Sequence, residues 1–194
     1  MSANTNLLKK IKEEVLALKG TELVAFRNKE GSFPVIGEGS HNPNIIFVGE
    51  APGRNEAKTG KPFCGAAGKI LDELLDSINL DRKEVYVTNI VKDRPPQNRD
   101  PLPEEIAQYG PFLDRQIEIL KPKVIVTLGR YAMDYILRLY NLEDKLEPIS
   151  SAHGKSYKAE NVDIVPLYHP AAAIYNRQLI ETLKKDFKTL KQYI

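Results

Sequence analysis

The chain has 194 residues, 42% of them hydrophobic and 28% charged, which is typical of a globular protein with a sizeable core. Its net charge of +2 excludes a strongly basic chain, so any binding of nucleic acid has to rest on locally placed charge. The single cysteine, Cys64, excludes an internal disulfide and a site made of several cysteines, and it favours a reducing, cytoplasmic compartment.

The first predicted element is an amphipathic helix that ends near Gly20. Its apolar residues recur at helical spacing between lysines and glutamates: Leu7, Leu8, Ile11, Val15 and Leu18. The segment lacks the continuous apolar core of a signal peptide, and no apolar run approaches the ~20 residues that cross a bilayer. The sequence therefore predicts no membrane association. Residues 21–42 are predicted to be an irregular connector because they are rich in glycine and proline.

Four short apolar runs follow, and their β-branched content predicts strands. They are Asn44–Gly49, Glu84–Val91, Lys123–Gly129 and Val162–Tyr168. Helical patterns lie between and after them, at Ala66–Ile78, Pro103–Leu120, Tyr131–Tyr140 and Gln178–Tyr193. This alternation predicts an α/β fold, a three-layer α/β/α sandwich with a central four-stranded parallel sheet, in one domain over residues 1–194.

Four sequence blocks carry the chemistry. They are GEAPG (Gly49–Gly53), KPFCGAAG (Lys61–Gly68), VTNIVKDRPPQNRDP (Val87–Pro101) and YHPAAA (Tyr168–Ala173). All except KPFCGAAG lie at or just beyond the end of a predicted strand. Loops at the carboxyl ends of parallel strands meet at one rim of the sheet, where ligands bind. The sequence therefore predicts that a carboxylate, an aromatic ring, an amide and an imidazole share one pocket.

The first two blocks contribute Glu50 and Phe63. Glu50 lies on a loop stiffened by Pro52, either as a pocket carboxylate or as a solvated side chain. Phe63 precedes a helix that begins with small residues, which lets a ligand approach the helix N-terminus. The alternative is a core aromatic residue that packs the helix on the sheet. Cys64 is predicted to be a small buried hydrophobe.

In the third block, Asn89 interrupts an apolar strand, and a buried amide without partners costs about 1–3 kcal/mol. It either bonds to neighbouring backbone or reads the edge of a base with its paired donor and acceptor. Lys92 follows Asn89, and Arg94 and Arg99 lie on the next stretch, residues 94–103, which four prolines make stiff. These cations form either a phosphate-binding edge or a solvated basic loop.

In the fourth block, His169 ends the last predicted strand, either as a structural residue or as a pocket imidazole. Pro170 and three alanines follow it and leave room for a flat surface to approach. Ile174 and Tyr175 then offer apolar groups that are able to enter a base stack.

In order and spacing, the motifs GEAPG, GKPFCGAAGKILDELL, VYVTNIVKDRPPQNRDPLPEEI and HPAAA resemble the uracil-DNA glycosylase superfamily, and most of all its family-4 type. The resemblance runs from about Leu18 to the C-terminal helix. It implies a four-stranded parallel sheet between helices. It also implies a DNA repair enzyme that flips uracil out of DNA and hydrolyses the N-glycosidic bond. The four blocks offer no obvious amine nucleophile, which predicts a monofunctional enzyme.

The resemblance also implies roles for single residues in the pocket. Phe63 would stack on the flipped uracil, Asn89 would bond to its pyrimidine edge, and His169 would donate to its O2. Glu56 would lie near C5 and help to exclude the methyl group of thymine.

The first motif, GEAPG, supplies Gly49, Glu50 and Ala51 to the substrate site. Its glutamate would lie beside the base and the attacking water, either as a general base or only to orient the water. Ala51 occupies the position at which another branch of the superfamily has an aspartate base.

The implied partner is single- or double-stranded DNA that contains uracil, bound by a monomer. Residues from two loops would contact it: Lys92, Arg94, Arg99, Pro170, Ala171, Ile174 and Tyr175.

Typical family-4 members hold a [4Fe–4S] cluster with four cysteines, and the pattern would place those cysteines at Leu18, Thr21, Asp93 and Tyr109. Since none of these is cysteine, the sequence predicts a variant without cofactor or metal. Leu18 and Tyr109 would fill the space by apolar packing, and Asp93 would pair with a nearby lysine or arginine.

Three alternatives to uracil release remain open. One is a glycosylase for another deaminated base, hypoxanthine or xanthine, and another is a damaged-DNA-binding module without activity. The third, a nucleotide-binding α/β protein, lacks support because the chain has neither GxGxxG nor a Walker lysine motif.

Overall fold

The computed structural model describes residues 3–194. The strands are β1 (Glu38–Gly39), β2 (Ile45–Gly49), β3 (Tyr86–Asn89), β4 (Val124–Leu128), β5 (Tyr157–Lys158) and β6 (Asp163–Leu167). The helices are α1 (Ala3–Ala17), α2 (Glu22–Glu30), α3 (Arg54–Thr59), α4 (Ala66–Asp76), α5 (Pro103–Leu120), α6 (Arg130–Leu139), α7 (Ile149–Ala152), α8 (Ala172–Tyr175) and α9 (Leu179–Lys188). Within this part of the chain, no helix combines the length and apolar character that a membrane span requires.

The sheet has the strand order β1-β3-β2-β4-β6-β5, and its four central strands are parallel. This confirms the predicted α/β fold and the predicted four-stranded parallel core. Two antiparallel edge strands of two residues each, β1 and β5, are additions to the prediction. Strands of that length are too short to show a periodic pattern in the sequence.

Helices cover both faces of the sheet, as its fully buried central strands require. Ile46 and Val48 of β2 pack in one apolar cluster with residues of α1, α5 and α6. Ile45 and Phe47 point the other way and pack in a second cluster with residues of α4 and α9. The site-bearing loops therefore start from strands that are fixed on both faces.

Helix α2 corrects the prediction of an irregular connector over residues 21–42. It begins after Thr21, whose hydroxyl accepts the backbone N–H of Val24 at 3.1 Å, and it ends at Gly31 in the left-handed conformation. The sequence pattern missed this helix because one of its three buried residues is a charged one, Arg27.

Candidate active site

A pocket of about 600 Å³ lies at the carboxyl ends of β2, β3 and β6. All four blocks contribute to its wall, with Glu50, Phe63, Asn89 and His169. The structure therefore confirms that the carboxylate, the aromatic ring, the amide and the imidazole line one pocket. Asn55, Pro95 and Asn98 also line the pocket, and the sequence interpretation had not included them.

Asn89 is the last residue of β3 and pairs in register with Gly49 at the end of β2. It is only 2% exposed, yet its side chain lines the pocket. Among residues 3–194, its carboxamide forms no hydrogen bond, while its backbone carbonyl accepts the ammonium of Lys92 at 2.6 Å. A nearly buried amide whose donor and acceptor face a pocket is suited to a polar, planar ligand edge.

Gly49 is buried behind the pocket wall, and its lack of a side chain makes room for Asn89 and Phe63. A Cβ at this position would lie 2.3 Å from Asn89 Oδ1 and 2.8 Å from Phe63 Cζ. Gly49 thus allows the amide and the aromatic ring to lie side by side.

For the release of uracil that the resemblance implies, replacing Gly49 by alanine is expected to lower the rate by about 100-fold, because displacing reacting groups by an ångström has that order of effect. Single-turnover kinetics on uracil-containing DNA measure it, with a thermal unfolding curve as the control for folding. A variant with the wild-type rate would show that the positions of Asn89 and Phe63 do not limit the reaction.

His169 follows β6, and its ring stacks against Phe63 with the centroids 5.5 Å apart and the planes 28° apart. Burial lowers its pKa to about 4, against the smaller opposing effect of Glu56, so the ring is neutral at pH 7. The backbone N–H of Ala171 lies 3.1 Å from Nδ1, which assigns the acceptor role to Nδ1 and the proton to Nε2. His169 therefore offers the pocket a neutral N–H donor.

The loop that carries Phe63 is held in an unusual conformation. Phe63 has φ of 47°, and its carbonyl packs so closely on α4 that a Cβ on Gly68 would lie 1.7 Å from the oxygen. Glu56 Oε1 accepts the backbone N–H groups of Cys64 and Gly65, each at 3.0 Å. Glu56 thus lines the pocket and at the same time fixes the loop. The prediction of a buried Cys64 is wrong, because this loop leaves its side chain exposed.

Glu50 lies half-buried at the edge of the pocket. Burial raises its pKa to about 7; the charge of Asp100 adds to the rise and Arg130 opposes it. Asp100 accepts the hydroxyl of Tyr131 at 2.6 Å and the guanidinium of Arg130 at 3.0 Å. The sequence interpretation missed this charged group, although Arg130 directly follows the predicted strand Lys123–Gly129 and so points to the same rim.

For the release of uracil that the resemblance implies, the rate is expected to rise with pH and to level off above about pH 7. The reason is that only ionised Glu50 can stabilise a sugar cation or polarise water. The pH dependence of kcat/KM measures this, with Glu50→Gln as the comparison. The variant should be slower and should lose this rise; retention of the full rise would assign it to another group.

The proline-rich loop corrects one predicted DNA contact. Lys92 has no exposed surface, so its assignment as a DNA-binding residue is wrong. Its ammonium instead donates hydrogen bonds to three acceptors inside the protein. Arg94 donates to Asn98 at 2.6 Å and remains partly exposed. Arg99 lines the pocket but forms a two-pronged pair with Glu105, at 2.6 and 2.8 Å, which offsets much of its charge.

The loop after His169 presents apolar side chains beside the pocket. Tyr175 is 91% exposed and Ile174 is 45% exposed, and both line the pocket together with Ala171. The ring of Pro170, in contrast, is buried, so the predicted contact of this residue with DNA has no exposed surface to rest on. Ile174 and Tyr175 thus place adjacent apolar groups at the pocket, where a ligand is able to contact them.

The four positions expected for cluster cysteines do not fit an iron–sulfur cluster, since none of their side chains supplies a thiolate. Asp93 instead accepts the guanidinium of Arg27 at 2.9 Å and the hydroxyl of Tyr109 at 2.6 Å. The hydroxyl of Thr21 is used to begin helix α2, and Leu18 packs against the apolar cluster that contains Tyr109. The predicted pairing of Asp93 with a basic residue is confirmed, and its partner is Arg27.

Comparison with known proteins agrees with this site. A family model described as the Uracil DNA glycosylase superfamily matches residues 36–193. The chain therefore belongs to the uracil-DNA glycosylase superfamily.

Its relatives include type-4 uracil-DNA glycosylases of three archaea. The chain is 47% identical over 190 residues to that of Sulfurisphaera tokodaii, covering 95% of this chain and 84% of the relative. It is 49% identical over 160 residues to that of Archaeoglobus fulgidus, with 80% and 79% coverage. It is 42% identical over 187 residues to that of Saccharolobus solfataricus, with 94% and 84% coverage.

Proposed function

We propose that this protein is a monofunctional uracil-DNA glycosylase of DNA repair, which flips uracil into the pocket and hydrolyses its N-glycosidic bond. The observation that carries the proposal is the carboxamide of Asn89, which is nearly buried, lines the pocket and forms no hydrogen bond with the described residues. Phe63 and His169 lie on the same wall. Membership of the superfamily and the names of the type-4 relatives support the same reaction.

Base recognition rests on Asn89. Uracil presents an N3–H donor beside an O4 acceptor, and a carboxamide offers the complementary acceptor and donor. Cytosine presents the reverse pattern, so the same amide would leave groups unpaired against it. Phe63 supplies an apolar face for stacking. Glu56 and Ala51 lie in the wall as well and would limit the space around C5.

Bond cleavage leaves a uracil anion and a sugar with cationic character, and the pocket has a group for each. The Nε2–H of His169 donates to uracil O2 and stabilises the negative charge that develops there. Because the ring is neutral with a pKa of about 4, it acts by donating this hydrogen bond rather than by transferring a proton. Ionised Glu50 stabilises the sugar cation and orients the attacking water.

DNA would lie across the pocket mouth. Arg99 lines the pocket and Arg94 is partly exposed on the same loop, so both would contact phosphates, while Ile174 and Tyr175 line the pocket from the loop after His169. Insertion of these apolar side chains would fill the gap left by the flipped base, whose extrusion costs a few kcal/mol. Every group invoked belongs to one chain, which is consistent with action as a monomer.

The test is a panel of oligonucleotides that contain uracil, hypoxanthine or xanthine, in single strands and opposite each base. Release of uracil at a rate far above that of the two purines is expected, because the pocket amide complements a pyrimidine edge. Preferred release of hypoxanthine or xanthine would assign the enzyme to another deaminated base. Tight binding of damaged DNA without release of any base would instead indicate a binding module.

A further inference from the structure

Lys92 is a buried lysine directly behind the pocket, and the reaction described above does not use it. Its side chain has no exposed surface, which is rare for lysine. Its Nζ donates to Thr88 Oγ1 at 2.9 Å, to the backbone carbonyl of Asn89 at 2.6 Å and to Gln116 Oε1 at 2.6 Å. The ammonium thus connects the end of β3, through Thr88 and Asn89, to helix α5, through Gln116.

All three partners act as acceptors. The hydroxyl of Thr88 donates its own hydrogen to the carbonyl of Ile36 at 2.6 Å, so its oxygen accepts from Lys92. Gln116 uses its amide N–H groups on Ile36 and on the hydroxyl of Tyr86 and leaves its carbonyl for Lys92. Three acceptors match the three N–H donors of an ammonium, whereas a neutral amine has only two.

The carbonyl of Asn89 depends on this donor. The edge strand β1 pairs only with Tyr86 and Val87, so it offers no neighbour to β3 at the level of Asn89. On the other side of β3, the ladder with β2 ends at the pair of Gly49 and Asn89. Beyond this pair, the backbone N–H groups of Ile90 and Val91 still donate to the carbonyls of Gly49 and Glu50, each at 3.0 Å, but the carbonyl of Asn89 itself accepts from Lys92.

We propose that Lys92 is a positioning residue whose ammonium fixes the main chain of Asn89 so that the carboxamide faces the edge of uracil. This inference rests on the proposed function, since it assigns Lys92 to recognition of the same base. Burial lowers the pKa of Lys92 to about 7 and the carboxylate of Asp114 opposes the shift, so a charge here is costly, and the three acceptors around Nζ are what favour the ammonium over the neutral amine.

The test is Lys92→Met, which keeps much of the apolar side chain and removes the donors. Single-turnover release of uracil from a duplex is expected to fall about tenfold or more, because charge-assisted hydrogen bonds have effects of that size. Binding of an abasic duplex should be unchanged, since abasic DNA has no base for Asn89 to read. In the Asn89→Ala background, the Lys92→Met change should cause no further loss of rate.

Tyr86→Phe is the matched control, because it removes a hydroxyl from the same buried network without touching Lys92 or Asn89. It should keep the wild-type rate. If Lys92→Met does not fold, Thr88→Val replaces it, with a smaller loss of rate that also disappears in the Asn89→Ala background. A wild-type rate, or a loss that adds to that of Asn89→Ala, would overturn the positioning role. Absence of uracil release by the wild-type protein would instead overturn the proposed function.

Discussion

Replacement of His169 by alanine is expected to slow release of uracil by about 100- to 1,000-fold, the effect of removing one preorganised donor from a developing anion. The Nε2–H is set up for this role, because Nδ1 accepts the backbone N–H of Ala171 and burial keeps the ring neutral. Single-turnover kinetics at pH 7 to 8, with saturating enzyme, isolate the chemical step from release of the abasic product.

His41→Ala provides the matched control, since it removes another imidazole that lies outside the pocket wall, where Nδ1 is 2.7 Å from the hydroxyl of Thr5. It should release uracil at the wild-type rate. A His169→Ala variant within a factor of three of the wild-type rate would contradict the role of the imidazole in stabilising the leaving base.

The largest effect on stability is expected from Asp93→Ala. This change leaves the guanidinium of Arg27 buried, at 7% exposure, without its counter-charge, and breaking one side of a buried pair costs about 3–5 kcal/mol. Asp93→Ala also removes the acceptor of the Tyr109 hydroxyl. Urea unfolding followed by circular dichroism measures the free energy of unfolding.

Two further variants show whether the charge or the packing matters. The double change Arg27→Met and Asp93→Leu should recover most of the loss, because it leaves no unpaired charge. Asp134→Ala, which removes the partner of Arg138 in an exposed ion pair, should change stability little. If Asp93→Ala unfolds at the same urea concentration as the wild type, then the hydrogen bonds among Arg27, Asp93 and Tyr109 do not stabilise the fold.

The main lines of the fold and the pocket could be predicted because they depend on local signals. The four central strands are apolar on both faces, so each appears in the sequence as a continuous run that ends at a polar or small residue. Asn89 and His169 stand at two of those ends, and a parallel sheet brings such ends together. Helix α2 and the edge strands were not predicted because they lack this pattern.

The errors concern charged residues whose partners lie far away in the sequence. Lys92 was predicted to bind DNA because a lysine on a polar loop is usually exposed. Gln116, which accepts from it, lies 24 residues away, and no local pattern indicates that contact. Arg130 and Asp100, 30 residues apart, approach Glu50 for the same kind of reason. Local patterns thus indicate which residues reach the rim but not which charges are neutralised there.

The most direct test of the central claim is to measure the free uracil that the purified protein releases from a duplex with a single U·G pair. The account predicts that free uracil and abasic sites appear in equal amounts. It also predicts that the strand stays intact until alkali is added, as a monofunctional enzyme requires. The account would be contradicted if the oligonucleotide kept its uracil after prolonged incubation with excess folded protein.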